Sequence, residues 1–516
     1  MGTDHNQLYH KKLHRKKSGM AAVGVALSLG MIVSACGSGS ELKGSSAPNS
    51  SEPGKDNKAL ELKIVSSLYN EVPKLDNAIW SEIQKRTNTK FTVDWVPAPE
   101  YNSKLDLFLA SNELPDILVV TSEKYLPVVN AAKQGVFWDL TPLLGDYKDY
   151  PNLKKIIPER AKFLTIDGKL YTLPRTRGKL DTIVQIRKDW LDKVGLPLPT
   201  TIDEFNVALK KIVESDPDGN GKKDTIGMQF NDYFAGAFGI WDPVNNSEGG
   251  LIHPFLTGNY NDFVAWNRER YADGVMPKEF SVMKGAQIQD LFTSGVSATH
   301  IWNIYHAWTA TDAIKKVQPA ANVDSILLKG PKGYAVAHTK MTTGGIMIPK
   351  KVPEAKVKQI LKFYDSMATA EMTDLVSYGV DGVHYKTDNG ERKLTDIGKK
   401  EINVDVNQFM VLAEDKWLKV VHPQAPKAWN DAKKAQMEKY EVEKVGKVRL
   451  EEVLLSDTWL KIWPKYLDEW TAIRTKTIIG ETSLADYKAY VEKLNNMPDF
   501  KKAYKEFADN YKTMMQ

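Results

Sequence analysis

The chain has 516 residues, of which 42% are hydrophobic and 26% charged, and this length favours two globular lobes over one core. Its formal net charge of +5 comes largely from residues 1–35, which hold five Lys or Arg and one Asp. Residues 36–516 then carry 65 basic and 64 acidic side chains, which excludes the strongly basic surface typical of nucleic-acid-binding proteins.

The first segment of the chain has the pattern of a secretory signal. Basic residues in 11–17 precede an apolar stretch, 19–33, which is shorter than the roughly 20 residues of a membrane span. The stretch ends at Cys36 in Val-Ser-Ala-Cys, which resembles a bacterial lipobox. We therefore predict a lipoprotein signal peptide over 1–35 and lipidation of Cys36, with a plain signal anchor as the alternative. Cys36 is the only cysteine, so an internal disulfide is excluded.

A polar segment follows the predicted anchor. Residues 37–59 are rich in Ser, Gly, Pro and charged residues and contain no aromatic residue, a composition that cannot bury a core. We predict that residues 36–59 are the lipidated cysteine and a flexible linker, which would place the chain on the extracellular face of the cell membrane.

From residue 60 the pattern predicts an α/β fold. Strands are predicted at 62–65, 91–96, 114–120 and 183–187, and helices at 77–86 and 101–110, with a further helix opened by the capping-box pair Thr201 and Glu204. Strands that alternate with helices predict parallel sheets with crossover helices.

Six segments carry a resemblance to a known family. They are 114–117 (LPDI), 167–174 (DGKLYTLP), 186–205, 292–298, 344–349 (GGIMIP) and 378–385 (YGVDGVHY). Together they resemble the extracellular solute-binding proteins of bacterial carbohydrate ABC importers, especially the large lipoproteins of Gram-positive bacteria. The resemblance implies a two-lobed α/β, periplasmic-binding-protein-like fold with a hinge and an interlobe ligand cleft.

The same resemblance implies where the chain crosses between lobes. Crossings are expected near 174–180, 335–342 and 395–400. Lobe one would comprise residues 60–176 and 340–397, and lobe two residues 177–339 and 398–516.

A dense run of aromatic and amide side chains provides the main ligand-binding candidates. A sugar presents flat C–H faces and a ring of hydroxyls, so its receptor needs aromatic plates and planar polar side chains. Trp302 and Tyr305 are predicted to stack on ligand, and Asn303 to bind its hydroxyls. Burial of these aromatics in the core is the alternative.

Five further side chains are weaker candidates for the cleft. They are Tyr69 after the first strand, Arg175 beside the first crossing, Trp241 in a loop, and Asp381 and Tyr385 in the last family-like segment. Arg175 could bind hydroxyls or an acidic sugar through its planar fork, with a surface or interlobe ion pair as the alternative.

An acidic loop resembles most of a calcium-binding EF-hand. Oxygen ligands fall at the expected spacing in Asp216, Asp218, Asn220, Lys222 (through its carbonyl) and Asp224. Position 12 is Gly227, so the usual bidentate carboxylate is missing. We predict a structural Ca²⁺, with a metal-free Asx/Gly turn as the alternative.

The sequence predicts a binding protein and not an enzyme. H-E-x-x-H, G-x-S-x-G and P-loop motifs do not occur in it. The predicted function is capture of a carbohydrate, with an oligosaccharide as the expected ligand. The protein is expected to be a monomer that delivers the ligand to ABC permease subunits and contacts the membrane through its lipid anchor. An exported glycoside hydrolase or polysaccharide lyase, and a peptide or signal-molecule receptor, are the alternatives.

Overall fold

A computed structural model describes residues 58–68, 72–111, 113–180, 182–402 and 408–515. The strands are β1 (Leu60–Leu68), β2 (Thr89–Pro97), β3 (Ile117–Val120), β4 (Thr165–Ile166), β5 (Lys169–Leu170), β6 (Thr172–Thr176), β7 (Thr182–Arg187), β8 (Thr299–Asn303), β9 (Val323–Ile326), β10 (Ala337–His338), β11 (Thr342–Met347), β12 (Tyr385–Asp388), β13 (Glu391–Leu394) and β14 (Lys447–Val448). The signal peptide, Cys36 and Tyr69 lie outside the described residues, so the predictions made for them stay predictions.

Helices fill most of the remaining described chain. They are α1 (Ala78–Thr87), α2 (Tyr101–Ser111), α3 (Leu126–Lys133), α4 (Thr141–Leu144), α5 (Leu153–Leu164), α6 (Lys188–Lys193), α7 (Ile202–Glu214), α8 (Gly258–Ala272), α9 (Gly285–Thr293), α10 (His306–Lys315), α11 (Glu354–Met367), α12 (Ala370–Tyr378), α13 (Asp396–Glu401), α14 (Lys427–Lys439), α15 (Val442–Val445), α16 (Leu450–Val453), α17 (Asp457–Ile479), α18 (Leu484–Asn496) and α19 (Pro498–Met515). Short 3₁₀ helices lie at Ala98–Glu100, Asp232–Phe238 and Pro254–Leu256. Within the described ranges, none of the helices has the length and apolar character needed to cross a lipid bilayer.

The first lobe is built on a five-stranded sheet in the order β2-β1-β3-β11-β6. β1 runs parallel to β2 and β3, whereas β11 runs antiparallel to β3 and β6. β3 is buried on both faces, since Ile117 and Val119 enter one apolar cluster while Leu118 and Val120 enter another. Alternate side chains of a strand point to opposite faces, so a fully apolar strand belongs between two helical layers. The α/β prediction is confirmed.

The second lobe is built on a three-stranded sheet in the order β8-β7-β9, in which both pairings are antiparallel. The prediction of parallel sheets therefore holds in part: among the described strands, parallel pairing occurs in β2-β1-β3 of the first lobe and in the short pair β10–β14. Helix α7 begins at the predicted capping box, in which Thr201 and Glu204 satisfy each other's backbone amides, and it buries Phe205, Leu209 and Ile212. Helix α17 packs against α8 and α19 and closes this lobe.

The chain passes between the two sheets at several points. β6 belongs to the first sheet and β7 to the second, so one crossing lies between Thr176 and Thr182. The chain returns between β9 and β11, which again belong to different sheets. Residues 409–412 are buried in the first-lobe core. The predicted lobe limits stay proposals, and this packing favours a last limit after residue 412 in place of 397.

Candidate functional site

The predicted aromatic run lies at the end of β8 and the start of α10. β8 pairs with β7, which places Trp302 opposite Ile183. The chain then turns at Tyr305, whose backbone amide donates to the carbonyl of Lys419 (3.1 Å) and so ties the turn to the segment that returns from the first lobe. The pairing of β8 with β7 and the hydrogen bond from Tyr305 to Lys419 therefore hold Trp302 and Tyr305 at one edge of the second sheet.

Aromatic and imidazole rings form a continuous column at this edge. Trp302 stacks on His306, with ring centroids 3.6 Å apart and planes 17° apart. Tyr305 contacts His306 on one side (4.0 Å between centroids) and stacks near His422 on the other (5.3 Å). His300 meets the edge of Trp302 at 5.3 Å. We call the rings of His300, Trp302, His306, Tyr305 and His422 the aromatic column.

The imidazoles of the aromatic column are uncharged at neutral pH. Burial lowers the pKa of His306 to about 3, with the nearby Lys419 adding to the effect. Burial likewise lowers the pKa of His300 and of His422 to about 4. Neutral rings can stack closely without charge repulsion, so the column presents a flat surface of low polarity.

A groove between the lobes runs past the end of the column. The second-lobe side contributes Tyr305 and the segment that carries Trp417 and His422, and the first-lobe side contributes Tyr378 and Leu394. The groove has a volume of about 140 Å³. Two neighbouring compartments of about 220 and 350 Å³ share Trp417 and Tyr378 with it, respectively.

Trp417 and Tyr378 are groove residues that the sequence did not reveal. Trp417 is half-buried, and Lys416 Nζ and Lys434 Nζ lie 4.3 and 5.7 Å from its ring centroid. Tyr378 ends α12 in the first lobe, where Arg392 lies 4.5 Å from its ring. Tyr378 begins the family-like segment 378–385, in which only Asp381 and Tyr385 were predicted to contact ligand. Trp417 belongs to none of the six family-like segments.

The other candidates of the second lobe and hinge have structural partners. Asn303 donates from its side-chain amide to Thr182 Oγ1 (3.1 Å), at the same sheet edge as the column. Arg175, only 2% exposed, donates to the carbonyl of Thr343 and to Gln408. Trp241 lies in the second-lobe core with 4% of its surface exposed. The burial of Arg175 and Trp241 does not favour direct contact with ligand.

Two candidates lie in the β12–β13 region of the first lobe, away from the column. Asp381 is exposed and accepts a hydrogen bond from the backbone amide of Gly382 (2.8 Å). Tyr385 is 8% exposed and begins β12, with Arg392 at 5.0 Å from its ring. Neither residue borders the groove described above, and both remain weaker candidates.

The predicted calcium loop is closed on itself by its own polar groups. Asn220 Nδ2 donates to Asp218 Oδ2 (2.9 Å) and Asp224 Oδ1 (3.1 Å), while Gly221 N donates to Asp216 Oδ2 (2.9 Å). Asp216 Oδ1 is buried and has no hydrogen-bond partner among the described residues. The contact with Asp218 lowers the pKa of Asp216, whereas burial raises the pKa of Asp218.

The loop from Asp216 to Asp224 contains oxygen ligands suited to a hard cation, but its side chains do not converge on one point as they would around a bound ion. In the described part of the chain, clusters of three or more His, Cys, Asp or Glu arranged to hold a metal ion are absent. The amide of Asn220 stands between the carboxylates of Asp218 and Asp224 and would have to turn its oxygen inward to act as a ligand. The orphaned oxygen of Asp216 and the two opposed carboxyls fit such a change.

Two hinged α/β lobes with an aromatic groove between them define a two-lobed solute-binding protein. The chain belongs to the family of bacterial extracellular solute-binding proteins, whose family model matches residues 69–374. The family resemblance found in the sequence is thereby confirmed. Since these are binding proteins, the chain is an extracellular binding protein and not an enzyme.

Named relatives and a solved structure agree with this family. The chain is 34% identical over 382 residues to the polygalacturonan/rhamnogalacturonan-binding protein YtcQ of Bacillus subtilis (strain 168), covering 72% of this chain and 74% of YtcQ. It is 32% identical over 364 residues to lipoprotein LipO of the same organism, covering 67% and 71%. It also matches the Streptococcus pneumoniae ABC-transporter substrate-binding protein FusA, as an EF-hand mutant in complex with fructo-nystose, with a TM-score of 0.61 and 21% identity over 88% of this chain and 99% of that one.

Proposed function

We propose that the chain captures an oligosaccharide between its lobes and delivers it, chemically unaltered, to the permease subunits of an ABC importer. The observation that carries the proposal is the groove to which both lobes contribute aromatic side chains, Tyr305 and Trp417 from one and Tyr378 from the other. Closure of the lobes on a ligand would add the second set of contacts, so ligand would shift the open–closed equilibrium through its differential affinity.

The chemistry of the groove suits a sugar better than a peptide. Trp417, together with Tyr305 and His422 at the end of the aromatic column, offers flat surfaces for pyranose or furanose C–H faces. Lys419 and Asp415 supply charged hydrogen-bonding groups in the same groove. A peptide receptor would instead present backbone amides and carbonyls in a row.

The series of neighbouring compartments favours a chain of sugars over a single ring. The central compartment alone is smaller than the roughly 300–1,000 Å³ that small-molecule sites occupy. Two further compartments, which share Trp417 and Tyr378 with it, add to the space. Because YtcQ is named for binding polygalacturonan and rhamnogalacturonan and the FusA complex contains fructo-nystose, oligogalacturonides and fructo-oligosaccharides are the first ligands to test.

Calorimetric titration of the purified protein with trigalacturonate, a rhamnogalacturonan oligosaccharide and kestose tests this function. We expect saturable binding of at least one of them, with the sugar recovered intact by mass spectrometry. Binding of none of the three, or recovery of shortened sugars, would contradict the proposal. A tripeptide mixture serves as the control ligand for the peptide-receptor alternative.

We further propose that the chain is held outside the cell by a lipid on Cys36, after removal of residues 1–35. The lipobox-like sequence supports this, as does the likeness to a protein named lipoprotein LipO. Incorporation of a palmitate analogue by the wild type and its loss in Cys36→Ser would agree with the anchor. Equal labelling of both proteins would contradict it.

We also propose that the loop from Asp216 to Asp224 binds a structural Ca²⁺. The orphaned carboxylate oxygen of Asp216 supports it, because a divalent cation would give this oxygen the partner that it lacks among the described residues. The FusA structure is that of an EF-hand mutant, so a loop of this type occurs in a protein of similar fold. When bound, the cation would fix the loop that follows α7 and would take no part in ligand chemistry.

A further inference from the structure

A second depression lies on the second lobe beside the start of β7. Its walls include Thr182, Asn231, Asp232, Tyr233 and Arg449, so it is far more polar than the aromatic column. Its volume is about 410 Å³, within the roughly 300–1,000 Å³ typical of small-molecule sites. None of these side chains belongs to the six family-like segments or to the acidic loop.

The depression adjoins the aromatic column. Asn303 lies between the two, since its side chain hydrogen-bonds Thr182 in the wall of the depression, while its neighbour Trp302 belongs to the column. Ile301, which precedes Trp302 on β8, also lines the depression. Successive side chains of a strand point to opposite faces, so the depression and the aromatic column lie on either side of the end of β8.

A buried chain of hydrogen bonds holds Asp232 in this wall. Arg474 Nη1 donates to the hydroxyl of Tyr260 (2.9 Å), and that hydroxyl donates to Asp232 Oδ1 (2.8 Å). Tyr260 is fully buried, and burial raises its pKa, so its hydroxyl keeps its proton. The guanidinium of Arg474 packs over the rings of Phe230 and Trp470 at 4.7 and 4.6 Å.

This arrangement fixes one carboxylate oxygen of Asp232, a residue that lines the depression. A guanidinium in apolar surroundings needs a compensating negative charge, which Asp232 supplies through the tyrosine hydroxyl. A carboxylate that served only as an internal counter-ion would be enclosed by protein. Asp232 instead is half-buried and lines the depression. Among the described residues its one assigned donor is Tyr260, on Oδ1.

We propose that Asp232 is a further ligand-binding residue, which accepts a hydrogen bond from a sugar hydroxyl through Oδ2. Tyr260 and Arg474 are then positioning residues that fix the plane of its carboxylate. The inference rests on the proposed oligosaccharide function and adds to it a polar subsite next to the aromatic one. Hydrogen bonds to a fixed charged group depend strongly on geometry, so this subsite would select among sugars by the direction of their hydroxyls.

Calorimetric titration of four variants with trigalacturonate and kestose tests the inference. Asp232→Asn and Asp232→Ala should lower the affinity for the bound sugar by roughly tenfold or more, the usual loss for a hydrogen bond to a charged group. Tyr260→Phe should lower it less, because it frees the carboxylate without removing it. Asp290→Asn, on the exposed surface of α9, is the matched control and should bind as the wild type does.

Thermal unfolding of the same variants separates binding from structure. If the role of Asp232 is purely structural, Asp232→Asn should unfold at a lower temperature but bind sugar as tightly as Asp290→Asn. This result would overturn the inference about Asp232 and leave the oligosaccharide function intact. Failure of the wild type to bind trigalacturonate and kestose, in contrast, would contradict the oligosaccharide function and the subsite together.

Discussion

Acid should destabilise the second lobe, and His253 provides the clearest case. Its imidazole is 5% exposed and lies 4.1 Å from the ring of Trp459, nearly parallel to it. Its Nδ1 accepts a hydrogen bond from the backbone amide of Phe255 (3.3 Å). Both contacts suit a neutral ring, and burial lowers the pKa of His253 from 6.5 to about 3.

The sign and size of the effect follow from this pKa. Below pH 6.5 His253 is protonated in the unfolded chain but stays neutral in the folded chain. The contribution of His253 to the free energy of unfolding is therefore complete above pH 6.5 and is lost as pH falls toward 3. One pKa unit corresponds to about 1.4 kcal/mol, which gives an upper bound of about 5 kcal/mol over the whole range. At pH 5 the loss attributable to His253 is about 2 kcal/mol.

Guanidinium unfolding at pH 7 and pH 5 measures this loss. His253→Phe keeps a flat ring beside Trp459 but cannot titrate, so the free energy of unfolding should fall by about 2 kcal/mol less between the two pH values than in the wild type. Phe255→Leu perturbs the same ring cluster without removing the imidazole, and it should keep the wild-type pH dependence. An identical pH dependence in His253→Phe and the wild type would refute the reasoning.

Three further predictions concern the groove, the capping box and the loop. Trp417→Ala should weaken oligosaccharide binding by about 1–3 kcal/mol in a calorimetric titration if its ring stacks on sugar, whereas unchanged affinity would remove it from the site. Thr201→Ala should lower the free energy of unfolding by about 1 kcal/mol, because the Glu204 amide loses its side-chain acceptor; an unchanged value in denaturant titration would contradict this. Calcium chelation should lower the unfolding temperature of the wild type but not of Asp216→Asn, and equal shifts in both would argue against a calcium loop.

Local sequence patterns predicted those helices and strands whose structure depends mainly on residues within the same segment. Asn77 accepts a hydrogen bond from Trp80 N at the start of α1, and the alternation of β2 and the apolar run of β3 are both present. Tyr305 lines the groove as the aromatic run suggested. In these places the side-chain period or a cap three residues away carries the information.

Long-range packing explains what the sequence could not give. Trp241 was predicted to lie in a loop and contact ligand, but its ring packs against Gly236 in the core. A Cβ at Gly236 would lie 2.2 Å from a ring atom of Trp241, so only glycine leaves room for the ring there. Trp417 and Tyr378 line one groove although 39 positions separate them and different lobes carry them. Such pairings depend on how the lobes meet, and neither propensity nor periodicity encodes that.

The aromatic column and the Asp232 depression divide recognition into two parts of different chemistry. Stacking on neutral rings depends on a flat sugar face, which most sugars offer, so the column would contribute affinity with little discrimination. A carboxylate whose plane is fixed through Tyr260 and Arg474 would accept hydrogen bonds from few directions, so the depression would discriminate between sugars that stack equally well. Because β8 carries Trp302 toward one region and Ile301 toward the other, the rigid sheet edge fixes their spacing. Substitutions in the column should therefore weaken all bound oligosaccharides alike, whereas substitutions at Asp232 should change their order of affinity.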